Sequence, residues 1–328
     1  MDNNSLKNMT NSVSIAFITD QGFLMPTSVA IKSMIDHKNA DSVYDIRIIA
    51  TDCDDVEVSR LNDYSSDNVS ISIVKTNTKK YAEIKQLSHI TIACLLKFDI
   101  CDLLPDCEKI LYIDGDVYVN GDLTDLFNIN IGDAYVGGVK SLDMIGSNLD
   151  HKLSNAGVFL FNAKKMREDR MTEKLYKKRM EIGDCGSMDQ KVFNILLGDE
   201  IFTIPYKYNC VAGMILSDKR LFSIDKLNSL YETGYSCVED FLNDAIIIHY
   251  ASGGKPWKYD FVYKANEWYE CYKSTYYGNV PLIRKTKLQV RKQVFFDSIK
   301  KEGLHGLAGR VKHYWFWLIG RREGDIWG

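Results

Sequence analysis

Three short β-rich runs separated by two helix-length segments occupy residues 13–75, and this alternation restricts the fold more than any other feature of the chain. Val13 to Thr19 (VSIAFIT) reads as a buried strand, and after a polar turn Thr27 to Ile35 carries apolar residues at helical spacing. Tyr44 to Ala50 (YDIRIIA) is a second strand, Asp54 to Tyr64 a second helix, and Val69 to Lys75 an alternating third strand. Strands joined through helices run parallel, because each crossover returns the chain to the same end of the sheet. A mostly parallel α/β sheet covered on both faces is therefore expected. Ligands of such sheets bind at the carboxyl ends of the strands.

The pattern continues with a helix over Thr91 to Leu104, ended by Pro105, and a strand Lys109 to Ile113 (KILYI) that runs directly into Asp114-Gly115-Asp116. Tyr135 to Gly138, Val158 to Phe161 and Ala245 to His249 read as further strands, with helices beginning at Thr172 and Asp189. From about Ala265 the chain is helical, aromatic and basic, and neither an internal repeat nor a Pro-rich linker interrupts it. At 45% apolar residues, the 328-residue chain can bury a substantial core. The division read from this pattern is 1–265 as a catalytic-type α/β domain and 266–328 as a helical, basic-aromatic region.

Two D-x-D tripeptides occur, and context separates them. Asp114 and Asp116 leave an apolar strand at the sheet's ligand-binding edge, where two hard oxygen donors suit Mn²⁺ or Mg²⁺; the bland alternative is a turn or a cap. Asp52 to Asp55 precede a helix and fit its N-terminal charge. A metal held by two carboxylates takes further ligands, and His249, closing AIIIH, is the candidate third; singly, it also reads as a satisfied structural histidine. Its companions in HYASGGKPWK favour the ligand: Ser252 to Gly254 permit close backbone approach, and Lys255 offers a cation to phosphate.

These residues together resemble glycosyltransferase family 8. KILYIDGDVYV (Lys109 to Val119) follows the family's K-x-L-Y-L-D-x-D-x-x-V block, and Asn155-Ala156-Gly157-Val158 its F-N-A-G-V block, with Ser154 in place of Phe. Met188-Asp189-Gln190 resembles the D-Q block and HYASGGKPW the H-Y-x-G-x-x-K-P-W block, in consistent order from Val13 to about Trp268. The subgroup most resembled is the bacterial lipopolysaccharide galactosyl- and glucosyltransferases.

The resemblance implies a GT-A fold, a Rossmann-like mixed sheet with helices on both faces, and a small helical C-terminal region. It implies a retaining enzyme that moves glucose or galactose from a UDP-sugar to a saccharide acceptor, with Asp114, Asp116 and His249 on Mn²⁺ or Mg²⁺. Thr19, Asp20, Phe23, Lys97, Asp114, Gly115 and Lys255 would contact the donor, Phe23 supplying a ring for the uracil. The family's A-D-x-N-Y reads TDQGF here, and Lys97 stands where Arg is usual, keeping the charge without the bidentate fork. Asp189, Gln190 and Asn155 would face the donor sugar, although a plain helix N-terminal carboxylate also accounts for Asp189. Asp143 is the nearest candidate for an acceptor-facing carboxylate. Gln190 is a poor nucleophile, because an amide lacks a carboxylate's charge, so front-face substitution assisted by the leaving phosphate is favoured over a covalent intermediate. The rivals are a UDP-sugar-binding protein without turnover and a glycosyltransferase acting on protein-linked glycans.

The formal net charge of -3 conceals an asymmetry: residues 284–328 carry 11 Lys/Arg against 4 Asp/Glu, leaving 30 against 40 in the rest. Nothing in this balance indicates a nucleic-acid partner. In the tail, Leu288, Val294, Phe295, Ile299, Leu304, Leu307, Val311, Tyr314, Trp315 and Leu318 recur at roughly helical spacing among the basic residues, which suits an anionic membrane surface. Packing of the tail on the catalytic domain is the alternative. The eight cysteines lack a C-x-x-C pair and read as reduced structural thiols. The polar N-terminus is no secretory signal, and apolar runs such as Tyr314 to Ile319 are too short to span a bilayer, so a cytoplasmic or inner-face peripheral protein is expected.

Overall fold

The computed structural model describes residues 11–84, 91–145, 152–183, 189–251 and 253–293. Its main sheet contains β1 (Ser12–Thr19), β2 (Val43–Ala50), β3 (Val69–Lys75) and β4 (Lys109–Ile113). β6 (Val136–Lys140), β7 (Ser154–Asn162) and β8 (Phe202–Thr203) complete it, in the order β3-β2-β1-β4-β7-β6-β8. β5 (Val117–Val119) and β9 (Ile247–His249) form a separate two-stranded ribbon.

The expected parallel core is present in β1 to β4, but β7 runs antiparallel to both neighbours, which makes the sheet mixed. That reversal brings the beginning of β7 to the carboxyl end of β4. Two apolar layers cover the sheet, and its strands divide between them residue by residue. Ile15, Phe17, Leu111, Ile113, Val158 and Leu160 join one layer, while Ala16, Ile18, Ile110, Tyr112, Phe159 and Phe161 join the other. This is the two-residue period of a strand buried on both faces.

The first helix is longer than the periodic segment, Leu24–His37, and its buried Thr27 faces the turn after β4. Asp54 to Tyr64 is a short α-helix, Asp55–Ser59, tightening into the 3₁₀ segment Arg60–Tyr64. The expected helix over Thr91 to Leu104 is likewise a 3₁₀ segment, Ile92–Phe98, followed by Ile100–Leu103. Such tight turns are common as connectors. Helix Ala265–Lys273 places Trp268 and Tyr272, both essentially unexposed, in the same apolar layer as the first helix. Val294 to Leu318 of the tail lie outside the described residues. Among the described residues no helix is long and apolar enough to cross a membrane, and the cysteines are free.

Candidate active site

The carboxyl ends of β1 and β4, the start of β7 and the β5–β9 ribbon surround a cavity of about 720 Å³. That volume lies within the range of small-ligand sites. β4 supplies its floor. The ladder to β7 continues one residue past the strand, where the Asp114 amide donates to Gly157 O at 2.8 Å, so Asp114 emerges beside Gly157. Antiparallel pairing of Val117 with His249 brings the histidine back over the same turn, and the Tyr250 amide donates to Asp116 O at 2.9 Å.

Asp114, Asp116 and His249, some 135 residues apart in sequence, thereby offer ligand atoms within 4.8 Å of one another. His249 Nε2 lies 3.3 Å from Asp116 Oδ1 and 3.7 Å from Asp114 Oδ2. Two glycines make the closure possible. A Cβ on Gly157 would stand 2.1 Å from His249 Cε1, and one on Gly115 would stand 2.3 Å from Thr27 Oγ1.

The two carboxylates are driven in opposite directions. Burial pushes Asp114 above its ordinary value, with Lys97 only partly opposing it. Burial acts the same way on Asp116, but His249 and Lys255 outweigh it and hold that group well below the usual carboxylate range. The Lys255 ammonium bonds both Asp116 and Tyr250 O, so a cation already lies against this carboxylate.

Lys97 is buried beneath the cavity. Its ammonium donates to Asp189 Oδ2 at 2.5 Å and to Ala156 O at 2.8 Å, and lies 3.5 Å from Asp114 Oδ1. Burial disfavours that charge, but Asp114 and Asp189 overcome the penalty and raise the lysine above its ordinary value. Asp189 begins helix Gln190–Leu197 without capping it; its side chain turns to Lys97 instead. The helix is fixed to β7 by Asn194, which accepts from Ser154 N at 2.7 Å and donates to Ser154 O at 2.8 Å. Gln190 Oε1 accepts from Ala156 N at 3.2 Å, and Asn155 Oδ1 from Gly157 N at 3.0 Å.

At the β1 end, Asp20 Oδ1 accepts from Phe23 N at 3.1 Å, and the Phe23 ring meets Trp257 edge-on with centroids 6.4 Å apart. Asp20, Phe23, Gly115, Lys97, Lys255, Asn155, Asp189 and Gln190 all line the cavity. Thr19 does not: it is 1% exposed and its hydroxyl pairs with Thr27 Oγ1 at 3.3 Å. Asp143 also lines the cavity, as do Lys140, Met214 and Tyr231, the Tyr231 hydroxyl donating to Lys140 O at 3.0 Å. The second D-x-D adjoins the β1 end, where the Asp54 amide donates to Gln21 Oε1 at 2.8 Å, but it does not line the cavity; Asp54 caps its helix by accepting from the Val56 and Glu57 amides at 2.9 Å.

Sequence reading did not single out several residues of the cavity wall, among them Cys94, Lys140, Asn209 and Tyr231. Burial first and then Asp189 push the Cys94 thiol well above its ordinary value, which disfavours the thiolate. Asn209 lies in no motif, following the 3₁₀ turn Tyr206–Tyr208, and only the fold brings it to His249.

Residues 14–260 match the family model described as glycosyl transferase family 8. Glycosyltransferase GlyE of Streptococcus pneumoniae serotype 4 is 26% identical over 78% of this chain and 60% of its own length. This chain therefore spans under two thirds of that relative. A lipopolysaccharide 1,2-glucosyltransferase of Escherichia coli is 23% identical over 90% of this chain and 88% of its own. Among solved structures, galactosyltransferase LgtC in complex with donor and acceptor sugar analogs superposes with a TM-score of 0.68 at 21% identity. The alignment covers 82% of this chain and 98% of LgtC, and the shared architecture is the GT-A fold.

Proposed function

This chain belongs to glycosyltransferase family 8, and we propose that it transfers glucose or galactose, with retention, from a UDP-sugar to a saccharide acceptor in lipopolysaccharide or other cell-surface glycan synthesis. The observation that carries the reading is the convergence of Asp114, Asp116 and His249 in the wall of a sugar-nucleotide-sized cavity. Two hard carboxylate oxygens and an imidazole nitrogen fit Mn²⁺ or Mg²⁺, and the Lys255 ammonium at Asp116 attests that the place accepts a cation. A divalent ion bound there supplies charge neutralisation to a departing diphosphate.

The chain's own groups divide the remaining work. Phe23 offers a ring to the uracil, Asp20 accepts from the uridine, and Lys255, held at Asp116, would offer its ammonium to the diphosphate. Asp189 binds hydroxyls of the donor sugar while Lys97 fixes its carboxylate from below. Gln190 presents its amide beside the anomeric carbon. Its oxygen already accepts the Ala156 N–H, which further reduces its nucleophilicity, so the acceptor hydroxyl attacks on the face the phosphate leaves. Asp143 and Tyr231, which also line the cavity, take the acceptor. Incubation with a panel of UDP-hexoses and Mn²⁺, followed by mass spectrometry, tests the proposal. UDP released with a glucose or galactose donor supports it; UDP binding without release from any donor leaves a sugar-nucleotide-binding protein in its place.

A further inference from the structure

A chain of hydrogen bonds anchored on one backbone amide runs to the back of His249, and its direction is fixed at its origin. Gly157 N–H can only donate, so the Asn155 atom 3.0 Å from it is the amide oxygen. That same oxygen lies 2.9 Å from Asn209 Nδ2, which must therefore be the NH₂ end. Asn209 consequently presents its oxygen, Oδ1, to His249 Nδ1 at 2.8 Å, and the imidazole nitrogen there must carry a hydrogen. Asn209 and His249 are each 3% exposed, so no solvent competes for either bond.

The consequence falls on the other ring nitrogen. With Nδ1 committed to Asn209, Nε2 is the ring nitrogen left facing the two carboxylate oxygens, 3.3 and 3.7 Å away. A proton on Nε2, or a divalent cation between the three groups, satisfies that arrangement. The partner of the second nitrogen decides which nitrogen can bind metal. Here that partner is a neutral amide whose other end holds Asn155, a residue of the sugar pocket.

We propose that Asn209 is a positioning residue, locking His249 with Nδ1 protonated and Nε2 directed at Asp114 and Asp116, and joining the metal-ligating imidazole to Asn155 through a single amide. The metal half rests on the role proposed above for Asp114, Asp116 and His249; the hydrogen on Nδ1 does not. The test uses the full chain labelled with ¹⁵N-histidine and freed of metal, in which long-range ¹H–¹⁵N spectra report the state of each ring nitrogen. Nδ1 of His249 is expected to carry a hydrogen in the parent protein. Manganese affinity, read from the electron paramagnetic resonance of free Mn²⁺, is then compared across variants. Asn209→Ala should bind Mn²⁺ about 10- to 100-fold more weakly, the usual effect of losing such a partner. Asn209→Asp keeps the acceptor at Nδ1 and should bind Mn²⁺ at least as tightly as the parent, while losing turnover because it no longer donates to Asn155. A bare Nδ1 in the parent, or parent-like Mn²⁺ affinity in a folded Asn209→Ala, overturns the proposal. Should Asn209→Ala fail to fold, Asn209→Asp decides, since weakened Mn²⁺ binding there also overturns it. A parent that holds Nδ1–H yet binds no Mn²⁺ removes the metal reading and leaves the hydrogen-bond assignment standing.

Discussion

The Lys97 ammonium lies 2.5 Å from the Asp189 carboxylate at a point where the lysine is only 2% exposed, so a buried ion pair joins the 3₁₀ segment Ile92–Phe98 to the start of helix Gln190–Leu197. Removing one partner of such a pair leaves the other charge buried without compensation, which costs about 3–5 kcal/mol. Lys97→Met should therefore lower unfolding free energy by about that amount, measured by urea denaturation. Lys97→Arg, which keeps the charge, should lose much less. Equal stability of Lys97→Met and the parent would mean that the pair contributes little.

This lysine also shows how far the sequence could be read. The parallel β1-to-β4 core and the placing of Asp114 and Asp116 at a strand end were legible because period and composition are local properties. So was the capping role of Asp54, which satisfies two amides two and three residues away. The partner of Lys97 was not local: the resemblance put this residue at the donor, and only the fold brings its ammonium to Asp189, 92 residues along the chain. The reversal of β7 could not be read from the run Val158 to Phe161 itself, since strand direction is decided by the connection and by the partner; only the family resemblance carried the mixed sheet. Asn209 had no signal at all, because an isolated asparagine after a tight turn most often serves the turn.

If Asp114, Asp116 and His249 hold the ion, Asp114→Asn, Asp116→Asn and His249→Ala should each abolish Mn²⁺-dependent release of UDP, with circular dichroism unchanged. Asp52→Asn is the control. Asp52 does not line the cavity, and among the described residues its side chain bonds its neighbour Thr51, at 3.2 Å, so the variant should retain nearly full activity. Inactivation by Asp52→Asn alongside an active Asp114→Asn would show the other carboxylate pair to be the functional one.

Nucleotide binding and chemistry should separate along the cavity. Phe23 stands at the β1 end against Trp257, whereas Gln190 and Asp189 stand at the β7 end. Phe23→Ala should weaken UDP by roughly 1–3 kcal/mol, the scale of an aromatic stack on a base, and affect kcat less. Gln190→Ala and Asp189→Asn should do the converse, lowering kcat with UDP affinity nearly intact. Calorimetric titration with UDP checks this, and a Gln190→Ala variant that loses UDP as severely as Phe23→Ala would contradict the division.

We further propose that the basic-aromatic tail carries the enzyme to an anionic membrane surface and so to a lipid-linked acceptor. Each surface Lys or Arg near such a leaflet contributes about 1 kcal/mol, and the ring cluster Trp315 to Trp317 suits headgroup depth. Truncation before Leu288 should abolish sedimentation with anionic vesicles at low salt while UDP-sugar hydrolysis survives. Loss of folding on truncation would instead assign the tail to the catalytic domain.

Gly157→Ala offers the sharpest test of the site's geometry, because a single methyl addresses the metal group without touching any ligand atom's chemistry. The added carbon would stand 2.1 Å from His249 Cε1, 2.6 Å from Nδ1 and 3.0 Å from Asp114 Oδ2; the first two are shorter than real methyl contacts and the third is tighter than most. Something must move, and the surroundings decide what. Gly157 belongs to β7 and accepts the Asp114 amide through its carbonyl, so the backbone is held by the sheet. The imidazole is the lighter group, but it is held by Asn209 behind and by the β5–β9 ribbon around it. Displacing it breaks the 2.8 Å bond to Asn209 and carries Nε2 away from the carboxylates. Overpacking of this kind costs typically about 1–3 kcal/mol, which a protein of this size tolerates. The variant should thus remain folded, with a melting temperature a few degrees lower, yet lose Mn²⁺ affinity by an order of magnitude or more. A folded Gly157→Ala with parent-like Mn²⁺ binding would show that His249 is not held at this position when the ion is bound.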